Sequence, residues 1–211
     1  MKRGVFLLCV VASLATTTVC AEQPKANQVV EREVMFDGCH FKMKDPYNGT
    51  LAATTRSTPV LANYNATINP KASHPFETSI QFDCHNNIKL GDLPNLSGGG
   101  LAKIDGKWVI AFKDAKEVNM KLYTLHGNDW DGAGTTADQQ DGDEDKRTRS
   151  FVFCLVHGSQ SLCGSDDTVM YLTHPSESVL PRILKLLESI EFIDTPPSKP
   201  SASSTSSSPV Q

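Results

Sequence analysis

From Val29 to Leu172 the apolar residues come in short runs, several of them alternating with polar positions, and a single helical stretch follows. Runs of this kind, bounded by Gly, Pro, Asn and Asp, predict strands and turns. Val29 to Met43 predicts one or two strands broken at Asp37-Gly38, whereas Asp45 to Thr58 is turn-rich and predicts a loop. Val60 to Ile68 and Phe76 to Phe82 predict further strands, with Pro70 and Pro75 interrupting between them. Leu101 to Ile104 and Lys107 to Phe112 flank Asp105-Gly106, a dipeptide suited to a two-residue turn that needs positive φ. Val118 to Leu125 places Val118, Met120, Leu122 and Thr124 on one face and reads as the next strand of a meander. Phe151 to Val156 and Thr168 to Leu172 add two more strands.

Ser176 to Ile190 predicts a helix. Leu180, Ile183, Leu184, Leu187 and Ile190 make one apolar stripe, opposite Arg182, Lys185 and Glu188. Ser176 or Ser178 can cap its start, and Pro181 falls in the first turns, where a missing amide hydrogen is tolerated. Glu191 to Ile193 reads as a closing strand. The predicted fold class is therefore α+β, a central antiparallel sheet packed by a C-terminal amphipathic helix.

The two ends of the chain have a different character. Lys2 and Arg3, the apolar run from Gly4 to Ala15 and the ending Val19-Cys20-Ala21 follow the order of a secretory signal peptide cut after Ala21. The run is too short for a transmembrane helix. A lipid anchor at Cys20 is disfavoured, because Val19 stands where a small residue is usual and Thr17 where leucine is. Residues 22–194 read as one domain, and 195–211 as a disordered Pro/Ser-rich tail too poor in apolar residues to offset its ordering entropy. The expected location is periplasmic or secreted.

Cleavage removes Lys2 and Arg3 and takes the formal net charge from −4 to −6. That balance argues against a nucleic-acid partner. It also leaves four cysteines, Cys39, Cys84, Cys154 and Cys163, which predict two disulfides in an oxidising compartment. Cys154–Cys163 is the favoured pair, because its residues sit on two arms of a hairpin around His157 to Ser161, and Cys39–Cys84 is then left.

The chemistry-bearing patterns are weak. Phe36-Asp37-Gly38-Cys39-His40 and Phe82-Asp83-Cys84-His85 resemble each other, and paired Cys-His dipeptides contain zinc-ligand types. Adjacent strand residues point to opposite faces, however, so disulfide with bystander histidines is the expectation and no metal is assigned. Asn95 to Gly100 lacks the ending of a phosphate loop, and no cofactor is expected. Ser159 has no Gly-x-Ser-x-Gly elbow.

The stretch from His126 to Arg149 reads as one long acidic loop. Asp141, Asp143 and Asp145 alternate like the start of a calcium loop, but Lys146 and Val152 break the pattern at its glycine and glutamate positions. Long loops often serve binding. Trp130, flanked by Asp129 and Asp131, is expected to be an exposed anchor for a partner. Trp130, Asp129, Asp131, Asp141, Asp143 and Asp145 are thus the candidate binding residues, and no catalytic residue is assigned.

Leu180-Pro-Arg-Ile-Leu-Lys-Leu-Leu-Glu-Ser-Ile-Glu-Phe192 resembles the close of PsbP-like domains, where an amphipathic helix runs into a last strand. The resemblance covers about a fifth of the mature chain. It implies a central antiparallel sheet flanked by helices and a protein that binds other proteins. Two functions follow: a non-enzymatic protein-binding module (accessory, adaptor or immunity-type) for a basic partner, or a secreted hydrolase using His126 or His157 beside an Asp as its acid–base pair.

Overall fold

The computed structural model describes residues 28–54, 58–98 and 100–194. The expected signal peptide and Pro/Ser-rich tail lie outside the described residues. The described part is α+β: mostly antiparallel sheets, with two helices and two disulfides.

A three-stranded sheet has the order β1 (Val30–Phe36), β2 (Cys39–Asp45), β12 (Glu191–Phe192). The β1–β2 turn is Asp37-Gly38, with φ of 44° and 86°, the left-handed geometry that a tight hairpin demands. A seven-stranded sheet has the order β3 (Thr50–Ala53), β4 (Ala62–Ala66), β5 (Thr78–His85), β11 (Gln160–Tyr171), β10 (Thr148–His157), β9 (Asp131–Asp138), β8 (Lys121–His126). A separate hairpin, β6 (Leu101–Ile104) and β7 (Lys107–Ile110), turns at Asp105-Gly106 with φ of 50° and 76°.

Three expectations need correcting. The supposed loop from Asp45 to Thr58 contains β3, which pairs with β4. The expected meander of β6, β7 and β8 does not form: β7 pairs with β6, while β8 pairs with β9. The supposed long loop from His126 to Arg149 contains β9, an eight-residue strand between β8 and β10. Its sequence, Asp-Gly-Ala-Gly-Thr-Thr-Ala-Asp, carries almost no hydrophobic signal because larger neighbours fill the space. A Cβ on Gly134 would lie 2.3 Å from the Phe151 ring.

Strand alternation sorts the side chains into two layers. Ile80 and Phe82 of β5, Leu162 of β11, Phe151, Phe153 and Leu155 of β10 and Tyr64 of β4 join Phe41 and Met43 of β2 in one buried cluster. Ring contacts run through it, Phe41 to Phe82 at 5.2 Å and Phe82 to Phe153 at 5.7 Å. Cys154 alternates with Phe153 and Leu155 and belongs to a second cluster with Cys163, Ala133, Leu93, Leu101 and Trp108. The β6–β7 hairpin and the short helix α1 (Leu93–Leu96) thereby cover the opposite face of the same strands.

Helix α2 (Leu180–Glu188) is shorter than expected, because Pro175–Glu177 forms a separate 3-10 turn. It buries Leu180, Ile183, Leu186 and Leu187, which join the first cluster alongside residues of both larger sheets. The Ser178 hydroxyl accepts the Leu180 amide at 3.3 Å. Both disulfides pair as anticipated. Cys154 and Cys163 face each other across β10 and β11, with Cα atoms 4.0 Å apart, and Cys39–Cys84 ties β2 to β5.

Candidate functional site

The six candidate residues do not form one site. Asp129, Trp130 and Asp131 lie at the start of β9, and Asp141, Asp143 and Asp145 lie beyond its end. The eight-residue strand that begins at Asp131 sets the groups roughly 25 Å apart.

Trp130 is the main correction. It is only 5% exposed and is no surface anchor. Gly127 makes room for it, since a Cβ there would fall 2.0 Å from the indole nitrogen. That nitrogen donates to the Ile190 carbonyl at 2.8 Å. The flanking acids are also engaged. Asp131 accepts from Lys103 Nζ at 2.8 and 3.0 Å and from Trp108 Nε1 at 2.8 Å, fastening the β6–β7 hairpin over the sheet. Burial alone would raise its pKa, but the Lys103 and Trp108 donors hold it below the usual carboxylate range.

Asp129 meets His157, at the end of β10. Nδ1 of His157 donates to the Asp129 carbonyl at 2.9 Å and faces its carboxylate at 3.3 Å, while Nε2 lies 3.3 Å from the Asp194 carboxylate. Phe192 stacks on the ring at 4.8 Å. Partial burial works against the imidazolium, yet Asp129 and Asp194 prevail and raise its pKa above the ordinary value. A pocket of about 320 Å³ adjoins, lined by Gly38, residues 157–160 and residues 192–194. His157 therefore stands beside two aspartates, and both ring nitrogens face oxygens that only accept. His126 ends β8 opposite Asp131 and interacts with it electrostatically, without a hydrogen bond or close ion pair among the described residues.

Asp141, Asp143 and Asp145 are exposed on the 139–147 connection. The Asp143 carboxylate accepts the Asp145 amide at 3.3 Å and lies 3.4 Å from Lys146, and Glu144 faces Arg147 at 3.7 Å. Such exposed pairs contribute little to stability. Their position matters more. Asp145 and Lys146 form one wall of a pocket of about 660 Å³, whose other lining is His74, Pro75, Tyr171, Thr173 and His174.

That second wall is built with care for position. The His74 and His174 rings stack with centroids 3.8 Å apart. The Glu177 carboxylate accepts the amides of Ser73 at 2.8 Å and His74 at 3.2 Å, pinning the 73–74 segment beside the 3-10 turn. On the other side, the Leu172 amide donates to the Arg147 carbonyl at 2.9 Å and holds the acidic connection against β11. Neither histidine stood out in the sequence. A signal was present, since both precede proline, in His74-Pro75 and His174-Pro175, and proline biases the residue before it toward extended backbone.

Two other groups complete the chemistry. Cys39 and Cys84 are bonded to each other, His40 faces Glu33 at 2.7 Å and His85 faces Asp83 at 3.2 Å. Among the described residues no group of three or more His, Cys, Asp or Glu is arranged to hold a metal ion. Asp166, at an irregularity in the β10–β11 pairing, is 3% exposed, and its Oδ2 has no hydrogen-bond partner among the described residues. Burial raises its pKa to about 7, against the opposing effect of the Thr168 and Ser79 amides.

No helix among the described residues is long and apolar enough to cross a membrane. No family model, curated protein or solved structure matches the chain.

Proposed function

We propose that this protein is a non-enzymatic binding module of the periplasmic or extracellular space, which captures a basic protein partner through the 139–147 connection and the pocket beside it. The observation that carries this reading is the pocket lined by Asp145 and Lys146 on one side and by Tyr171 and the stacked His74 and His174 on the other. Aromatic rings next to a carboxylate suit a cationic side chain, which can stack on the one and pair with the other. Asp141 and Glu144 extend the negative field along the approach, where charge steers encounter and sets specificity more than affinity. The two disulfides fit an oxidising compartment. The PsbP-like resemblance, with its central sheet covered by the C-terminal helix, belongs to the same reading.

A hydrolase is the second reading, favoured by His157 beside Asp129 and a pocket. It is weaker, because two partners that only accept favour the charged ring, and an imidazolium has no lone pair to serve as a base.

The test is capture of partners by tagged residues 22–211 from the producing cell's extracytoplasmic fraction. It is repeated with Asp145→Asn and with His174→Ala. A stoichiometric basic partner, lost in both variants and released by salt, is the expected result. Equal capture by both variants would remove the pocket from the interface and overturn the reading.

A further inference from the structure

The last strand is held by few interactions. β12 pairs with β2 through only Glu191 opposite Lys42 and Phe192 opposite Phe41, and the Ile193 amide adds one bond to the His40 carbonyl at 2.8 Å. Lys42 Nζ lies 3.3 Å from Glu191. Phe192 also packs against the first buried cluster, and both Phe192 and Asp194 meet His157. Phe192 covers its ring face with an interplanar angle of 7°, and Asp194 faces Nε2 at 3.3 Å.

We propose that His157 is a pH-operated latch, whose imidazolium bridges Asp129 and Asp194 and so fastens the C-terminal strand to the end of the seven-stranded sheet. A backbone carbonyl and a carboxylate only accept hydrogen bonds. Satisfying both together requires a hydrogen on each ring nitrogen, hence the charged form. When the ring loses one proton, it keeps a donor for one partner and turns a lone pair toward the other. Nδ1 has the better geometry, with the Asp129 carbonyl at 2.9 Å, so the neutral tautomer keeps Asp129 and gives up Asp194.

The surroundings leave those two acids in control. From the β8–β9 turn His157 meets Asp129, and from the segment after β12 it meets Asp194. The β1–β2 turn brings the uncharged Gly38 to the same pocket, and its own hairpin brings Gly158, Ser159 and Gln160. The histidine pKa is raised by this pairing. By linkage, the latch's contribution is fully present below the ordinary value of 6.5 and is lost as pH rises through the raised one.

The experiment follows His157 ring titration by NMR together with hydrogen exchange of the Ile193 amide, corrected for the intrinsic rate, between pH 5 and 9. The Phe153 amide in the core serves as the control for global folding. The expected result is Ile193 protection that falls as His157 deprotonates while Phe153 protection holds. Asp194→Asn should lower the His157 midpoint and reduce the pH-dependent change in Ile193 protection. Linkage sets the size: roughly threefold in latch equilibrium for each half unit by which Asp194 raises the midpoint. His157→Gln should leave Ile193 weakly protected at every pH. Protection that ignores His157 titration, or a midpoint unmoved in Asp194→Asn, would overturn the proposal.

Discussion

Trp130 and Ile190 are joined across 60 residues by a buried hydrogen bond, from the indole nitrogen to the carbonyl oxygen at 2.8 Å. It links the β8–β9 turn to the residue that leads from α2 into β12. A tryptophan between two aspartates is thus a bolt between distant segments, and the acids beside it point elsewhere, to Lys103 and His157.

Trp130→Phe should therefore act on stability and spare partner capture. The ring volume largely remains, but the Ile190 carbonyl loses its buried donor, which costs about 1–3 kcal/mol. Urea unfolding measures this directly. An unchanged midpoint with lost capture would restore Trp130 as a binding residue.

How much of this was legible depended on which residues carried the information. Phe151 to Val156 and Asp105-Gly106 announced their strand and turn through local pattern, and Leu180 to Ile190 did so for the helix. β9 was hidden because Gly132 and Gly134 are small for the sake of the Phe151 and Leu155 side chains opposite, a fact about neighbours rather than about the strand itself. Charge misled in the same way. Asp131 and Asp141 are both exposed-looking acids in sequence, yet one anchors a hairpin and the other faces solvent. The stacked His74 and His174 are 100 residues apart, and only the fold brings them together.

The two disulfides should differ in weight. Cys39–Cys84 closes a span of 45 residues and Cys154–Cys163 a span of 9. Constraint of the unfolded chain then amounts to about 4 kcal/mol for the first and about 2.5 kcal/mol for the second. Replacing each pair by serines and comparing unfolding midpoints checks the order. A larger loss from the short span would show that cross-strand packing of Cys154 and Cys163, rather than chain entropy, sets the difference.

Asp166 should make stability fall as pH rises. Its folded pKa of about 7 lies above the usual carboxylate value, so between about 4 and 7 the native state binds the extra proton. The native state is therefore favoured at the acid end of that window and loses a few kcal/mol toward its upper end. Asp166→Asn keeps an oxygen for the Thr168 amide and removes the charge. It should be more stable than the wild type at pH 8 and lose little of that stability between pH 5 and 8. Asp131 and Asp138 work in the opposite sense. Burial opposes their charge, but Lys103 and Arg149 hold both pKa values low, so their contribution is lost only as pH falls through those values. A wild-type stability curve flat from pH 5 to 8, unaltered in Asp166→Asn, would contradict this assignment.

Deletions in the acidic stretch should have a sharp boundary at Asp138. Removing residues 137–145 as if they were a free loop takes away the end of β9 and with it Asp138, whose two carboxylate oxygens meet Arg149. Both side chains are largely buried. Leaving Arg149 without its partner costs about 3–5 kcal/mol, so this deletion should unfold or severely weaken the protein. Removing residues 140–145 alone spares Asp138 and the bond from the Gln139 amide to the Thr148 carbonyl, and leaves Lys146 and Arg147 to close the hairpin. That shorter deletion should change stability by less than about 1 kcal/mol, because it removes only exposed pairs and loop entropy, and it should abolish partner capture. Thermal unfolding of the two deletions, with capture assayed on the folded one, separates the structural end of this segment from its binding part; equal destabilisation by both would show that the connection itself holds β9 and β10 in register.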